Sequence, residues 1–510
     1  MKNILLLIAL IPFTILSQTQ IGVDIDGEAR GDESGDSVSL SADGKVVAIG
    51  ARLNDGNGVS SGHVRVYRNM GSTMGWVQVG SDIDGEAEGD ESGGSVSLSA
   101  DGKVVAIGAR FNNGNGTFLG HVRVYKDMGT PLGWIQVGDD IDGESALDFS
   151  GDSVSLSADG AVVAIAARYN DGNGLTSGHV RVYKDMGTSL GWIQIGSDID
   201  GETEGDGSGD SVSISADGKV VAIGTRGSDD NGISSGHVRV YKDMGTPLGW
   251  VQVGNDIDGE SAVNESGGSV SLSADGKVVA IGARYYNIDG HPKRSGHVRI
   301  YRDMGSSLGW VQVGSDIVGE SIYEELGTSV SLSADGTVVA IGAPGSRDYS
   351  ASRSGYVQVY KYRDIPTGWV KMGNSIVEEA SGDASDDDNS EGSVSISADG
   401  SVVAIGARLN DGNGVSSGHV RVFDLNNVLS SDNFMKEEQV GFYTNPVSNT
   451  LQITFKENLR LKQAAIYTVL GTLVKVSTTD LIDVSTLAKG TYFVEIITNK
   501  GKTTKKVIVK

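Results

Sequence analysis

The chain has 510 residues, a formal net charge of −25 at neutral pH, 74 glycines against 7 prolines, and no cysteine. So acidic a chain repels nucleic-acid phosphates and anionic lipid, and neither is expected as a partner. The lack of cysteine excludes a disulfide framework and a lipoprotein anchor, leaving packing, ring closure or metal to hold the fold.

Residues 1–17 begin Met-Lys-Asn and run through "ILLLIALIPFTIL" to Ser17. One positive charge before a short apolar run with Pro12 inside has the shape of a cleaved export signal and is too short to span a bilayer. No later stretch approaches a membrane span, so none is expected after cleavage.

From Thr19 the chain repeats itself. "SLSADGKVVAIGAR" (Ser39 to Arg52) returns with Asp-Gly at Asp101, Asp159, Asp217, Asp275, Asp335 and Asp399, at intervals of 58, 58, 58, 58, 60 and 64 residues from Asp43. Such a period suits one small sheet per copy. Each copy carries four β-type runs, in the first "DSVSLS", "KVVAIGAR", "GHVRVY" and "GWVQVG". Asp43-Gly44 predicts a two-residue type I′ hairpin between the first two. The second run is apolar or small on both faces and must be covered on both sides, which makes each sheet a blade between neighbours.

The fourth run, marked by Trp76, Trp134, Trp192, Trp250, Trp310 and Trp369, occurs six times, whereas the others occur seven times. Thr19 to Glu28 aligns with Val77 to Glu86, so the first segment is expected to complete the last blade. The expected fold is all-β: a seven-bladed β-propeller over residues 19–424 closed by an N-terminal strand, a linker over 425–438, and a small C-terminal β-sandwich over 439–510.

Leu326 to Pro344, "LGTSVSLSADGTVVAIGAP", resembles the FG-GAP repeat of integrin α-chain propellers and their bacterial relatives, with Gly342-Ala343-Pro344 at the Gly-Ala-Pro. The other copies mostly read Gly-Ala-Arg. In the integrin kind a calcium loop joins the first two strands; here "SADGK" is too short for one.

Alternating strand direction puts the loops between strands two and three on the same face as the connections between blades. That face collects the acidic strings Asp24, Asp26, Glu28; Asp82, Asp84, Glu86; Asp140, Asp142, Glu144; Asp198, Asp200, Glu202; and Asp256, Asp258, Glu260. Alternate oxygen ligands with a glycine between suit Ca²⁺, the one cofactor the sequence suggests, although the EF-hand spacing is not met and Asp-Gly turns also serve solubility. His63, His121, His179, His237, His297 and His419 recur before the third strand and read as packing residues. A unique ligand site should lie where repetition fails, in Tyr285–Gly296, Pro344–Gly355 and Val377–Gly392. Tyr285, Tyr286 and Tyr349 there offer rings, and Lys293, Arg294, Arg347 and Arg353 offer charge beside acidic Asp386 to Asp388, for an anionic or sugar ligand.

No catalytic grouping emerges: no Gly-x-Ser-x-Gly elbow stands with a unique histidine and acid, and His291 has no evident partner. From Gln439 the charge changes sign, with ten Lys or Arg against four Asp or Glu. This region resembles the type A C-terminal sorting domain of the type IX secretion system of certain Gram-negative bacteria, through Tyr443, Asn445, Pro446, Leu470, Gly471, Gly490, Tyr492, Lys505 and Lys506, with Thr444 in place of a usual proline. The resemblance implies the outer-membrane translocon as a partner, then release or attachment at the cell surface. The function expected is a secreted or surface-displayed, non-catalytic binding or adhesion propeller with an extracellular protein or glycan ligand. An extracellular polysaccharide hydrolase or lyase, and a passive surface-layer protein, are the alternatives.

Overall fold

In the first repeat, Ser37–Leu40, Val46–Ala51, His63–Asn69 and Trp76–Gln78 form an antiparallel sheet in chain order. The two-residue strand Ile83–Asp84 then returns to pair with the third strand, His63 opposite Asp84, so each blade has a fifth strand that the repeat pattern did not suggest. Seven such sheets make an all-β, seven-bladed propeller. The structure is a computed structural model describing residues 18–510 except 115, 188–189, 287–293, 306–307, 345–354, 365–366, 378–392, 430–439, 444, 456–459, 469–472 and 499–500. The expected export signal, residues 1–17, lies outside the described residues.

The last sheet takes its fourth and fifth strands from the start of the chain. Thr19–Gln20 pairs with Asp424 and Phe423, and Ile25–Asp26 pairs with Val420 and His419. Ile25 is buried with Val38, Leu40, Val47 and Ile49 of the first blade and Val402, Ala404, Val420 and Val422 of the last. Trp76 Nε1 donates to the Ile21 carbonyl at 2.8 Å, the bond that Trp134 makes to Val79 and each later tryptophan to the preceding blade.

Two rings of hydrogen bonds run round the disc. The Ala42 amide donates to the Ala100 carbonyl, and the chain continues through Ala158, Ala216, Ala274, Ala334 and Ala398 back to Ala42, all at 2.8–3.0 Å. The inner-strand amides of Leu40, Leu98, Leu156, Ile214, Leu272, Leu332 and Ile396 donate to a serine Oγ of the preceding blade (Ser39 for Leu98, Ser395 for Leu40) at 2.9–3.1 Å. The alternating Ser-Val-Ser-Leu pattern thus places valine and leucine in the interblade core and serine as the acceptor that satisfies the next blade's amide.

The Asp-Gly hairpins differ from expectation. Only Gly44 has positive φ (+66°), while type I′ needs it at both central residues. Gly44 N–H donates to the Ser41 carbonyl, and Asp43 Oδ1 accepts from Ser41 Oγ and the Lys45 amide. The serine before the dipeptide anchors a longer loop that carries the alanine of the ring.

Described residues through Asn426 form one compact unit and those from Asn427 a second. The second is a sandwich. One sheet holds Val440–Tyr443, Thr450–Phe455 and Leu481–Asp483; the other holds Leu473–Ser477, Leu461–Thr468, Gly490–Thr498 and Gly501–Val509. Leu451, Ile453, Ile466, Val494, Ile496 and Val507 fill the space between. No helix among the described residues is long and apolar enough to cross a membrane.

Truncating Ile25, 6 % exposed, should cost about 2 to 4 kcal/mol for Ile25→Ala, as for a buried aliphatic deletion. Val23→Ala in the same segment, 79 % exposed, should cost almost nothing. Urea denaturation of the two variants checks this; equal midpoints would contradict the closure.

Candidate functional site: the arginine-lined axial pocket

An arginine follows the second strand in six of the seven copies, with Pro344 in the sixth, and the turn before the first strand carries a carboxylate, as at Glu33, Glu91, Asp152, Asp210 and Glu265. Because these strands are antiparallel neighbours, with Ser37 opposite Gly50, the arginine and the acid emerge at the same end of the blade. They line a cavity of about 530 Å³ at the axis that includes Arg52, Arg110, Arg168, Arg226, Arg284 and Arg408. The loops between strands two and three sit on this face with the interblade connections, as Asn57 Nδ2 donating to the Gly85 carbonyl shows.

The arginines stitch blades together. Arg52 lies 2.8 Å from Glu33 and 3.2 Å from Asp36 of its own blade and 3.1 Å from Glu91 of the next. Arg110 joins Glu91 to Asp152, and Arg168 joins Asp152 to Asp210, which Arg226 also meets at 3.1 Å. Arg408 of the last blade reaches Glu33 at 3.1 Å and Asp36 at 3.3 Å, carrying the arc across the closure. Neighbouring carboxylates raise Arg52 and Arg168 further above the ordinary guanidinium value, against the lowering effect of burial. Burial pushes the Asp210 carboxyl up, opposed by Arg226 and Arg168.

This arc was hidden in the repeats. Copies with glycine at 94 and 268 have glutamate at 91 and 265, while those with Phe149 or Gly207 have Asp152 or Asp210, so a carboxylate is kept in each. That exchange within the chain is the available signal; beside the FG-GAP repeat, Gly-Ala-Arg stands only as a departure from Gly-Ala-Pro.

Where the glutamate gives way to Phe149, an aromatic cluster replaces charge. Phe149 stacks on Phe118 with centroids 5.8 Å apart and meets Phe111 and Tyr169 edge-on at 5.3 and 5.2 Å. The guanidiniums of Arg110 and Arg168 lie over Phe111 and Tyr169 at 4.8 and 4.7 Å, joining the cluster to the pocket. Phe118 and Phe149 hold left-handed backbone (φ +49° and +53°), uncommon for bulky side chains.

Of the residues expected at a ligand site, Tyr285 lies between the guanidiniums of Arg284 and Arg294, at 4.7 and 4.6 Å. Tyr286 is a correction: it is 4 % exposed and packs edge-on against His297 at 4.0 Å, so it offers no ring to a ligand. Lys293, Arg347, Tyr349, Arg353 and the run Asp386 to Asp388 lie outside the described residues.

The acidic strings are split between blades. Asp24 and Asp26 gather at His419, while Glu28 joins His63 and Asp82; Glu86 joins His121 and Asp140, and Glu144 joins His179 and Asp198. Asp84, Asp142, Asp200 and Asp258 sit in the short fifth strands, where their carbonyls accept from Arg123, Arg181, Arg239 and Arg299. Glu202 and Glu260 each face an arginine of the following blade, Arg239 at 3.4 Å and Arg299 at 3.5 Å. Asp140, Asp198 and Asp256 each accept from a glutamine four residues earlier. The glycine read as a turn for an ion is a packing residue, since a Cβ at Gly27 would overlap the Ser417 carbonyl oxygen.

In the second unit, Asn445 Nδ2 donates to the Lys506 carbonyl and its Oδ1 accepts from the Ile508 amide, stapling the start of the sandwich to its last strand. Tyr492 Oη donates to the Ala488 carbonyl, and Gly490 pairs with Val509. Tyr443 ends the first strand opposite Gln452, Pro446 follows the stapling asparagine, and Lys505 and Lys506 pair with Val494 and Phe493. Leu470 and Gly471 lie outside the described residues. Residues 441–510 match the family described as "Secretion system C-terminal sorting domain".

The C-terminal unit is a secretion-system sorting domain. A chain carrying this sorting domain engages the type IX secretion system and is exported to the cell surface or the extracellular space. No curated protein matches the chain. Solved structures similar to it include a candidate 6-phosphogluconolactonase of Bacteroides uniformis, at 14 % identity over 68 % of this chain and 86 % of that one with a TM-score of 0.44. Another from Bacteroides fragilis stands at 12 % identity, 68 % and 85 % coverage and a TM-score of 0.43.

Two tests follow from this geometry. Asp210→Ala would leave Arg168 and Arg226 without their shared carboxylate and should cost about 3 to 5 kcal/mol in urea unfolding, as for a broken buried ion pair; an unchanged midpoint would contradict the bridging role. Burial, then Arg65, Arg123 and Arg181 respectively, lowers His63, His121 and His179 from 6.5 to about 4, so the fold holds them neutral. The unfolded chain therefore takes up protons first, and the stability they contribute is full above about pH 6.5 and lost as pH falls toward 4. His121→Gln should flatten this slope in urea midpoints across that window; an unaltered slope would count against it.

Proposed function

We propose that this exported protein is a non-catalytic binding propeller that captures an extracellular glycan at the axial pocket and the aromatic cluster beside it. The observation that carries the reading is the Phe111, Phe118, Phe149 and Tyr169 cluster, an asymmetric apolar surface adjoining a charged cavity. A sugar ring presents an apolar C–H face and a polar rim; aromatic rings suit the first and the Arg110 and Arg168 ion pairs suit the second. Binding is favoured over hydrolysis because Asp152 and Asp210 are each tied to two guanidiniums, which leaves their oxygens engaged in holding the blades together. The likeness of Leu326 to Pro344 to FG-GAP repeats fits adhesion at the cell surface.

A glycan array probed with the exported chain tests this. Phe149→Glu, which installs the residue that other copies carry at Glu33, Glu91 and Glu265, should weaken the captured glycan by about tenfold or more, equivalent to about 1.4 kcal/mol per tenfold. Undiminished capture by the variant would remove the cluster from the site, and release of shortened sugars by the wild type would favour the hydrolase or lyase.

A further inference from the structure

We propose that the junction of the third and fourth blades holds one divalent transition-metal ion of the zinc class, bound by Glu202, Asp230, His237 and Asp256. The four donor atoms lie within 4.8 Å of one another, and they come from three separate segments that the fold brings together. His237 is wholly buried; its Nδ1 lies 2.8 Å from Asp230 Oδ2 and its enclosed Nε2 has no hydrogen-bond partner, so the ring's one polar contact is the cluster.

This junction departs from its repeats in a coupled way. Copies one, two, three and seven have asparagine and glycine where the fourth has Ser228 and Asp230, as in Asn54 and Gly56. A Cβ on Gly56 would come 2.9 Å from Asn54 Oδ1, so an aspartate there is accommodated more easily beside a smaller residue two positions earlier. Ser228 meets that need, and its Oγ donates to Asp230 Oδ2 at 2.7 Å. The exchange adds a fourth donor to what is a three-donor group at His63, His121 and His179. There Nδ1 stands 3.7–3.9 Å from the nearest aspartate oxygen, too far for a hydrogen bond.

Three carboxylates share this site with one guanidinium, Arg239 Nη1 at 3.4 Å from Glu202, and the surplus negative charge favours a divalent cation. One imidazole nitrogen and three carboxylates match a tetrahedral ion with bonds of about 2.1 Å, whereas Ca²⁺ takes six to eight oxygens. Asp256 Oδ1 accepts from Gln252 Nε2, which orients the carboxylate for its second oxygen to bind.

The test uses the full chain stripped with chelator. Elemental analysis after zinc addition and gel filtration should give one ion per chain, and Co²⁺ should show the intense visible bands of a tetrahedral site. The double variant Ser228→Asn, Asp230→Gly restores the pair of the other copies, so its melting temperature in chelator should equal that of the wild type. Its zinc affinity should fall at least about tenfold. No bound zinc in the wild type, or an affinity and stoichiometry equal in both proteins, would overturn the proposal.

Discussion

The pairing of the first residues of the propeller with the last repeat is the constraint on which the structure depends. Thr19–Gln20 and Ile25–Asp26 supply the two strands that the seventh sheet lacks, and with them the Trp76 bond to Ile21 and the Arg65 bond to the Asp26 carbonyl. Without the pairing the disc would have two open edges and no cysteine to join them. With it, every blade has two neighbours, and rings of alanine and serine bonds can close on themselves.

Closure also explains where function can reside. Seven similar copies round an axis produce equivalent surfaces, and a unique site needs a departure from the repeat. The arginine arc is common to many blades and ties them together, while Phe149 in place of glutamate, Asp230 in place of glycine and Pro344 in place of arginine make particular blades different. The first two departures retain what the blade needs, since Asp152 replaces the lost carboxylate and Ser228 makes room for Asp230.

The blade order and the closing strand were legible because they rest on period and alternation, and Thr19 to Glu28 repeats the words of Val77 to Glu86. Turn geometry was less so: Asp43-Gly44 suits type I′, but Ser41 claims Asp43 and the loop bonds to the next blade, a tertiary contact no dipeptide reveals. The acidic strings looked like single ion loops because their carboxylates are adjacent in sequence, yet strand geometry sends Glu28 to one histidine and Asp24 to another. The pocket was least legible, because Arg52 meets Glu33 and Glu91, residues 19 and 39 positions away, only after the blades are stacked. Sorting-domain residues such as Asn445 could be read only through the resemblance to that family, because the bond Asn445 makes reaches the Lys506 carbonyl 61 positions away.

The most direct measurement is amide hydrogen exchange of residues 19–27 in the native chain. If the ring is closed, the Ile21 and Gly27 amides, bonded to the Val422 and Gly418 carbonyls at 2.7 and 2.8 Å, exchange as slowly as their counterparts Val79 and Gly85 inside the first blade. Exchange of that segment at the rate of an unstructured peptide, with the interior counterparts protected, would contradict the account.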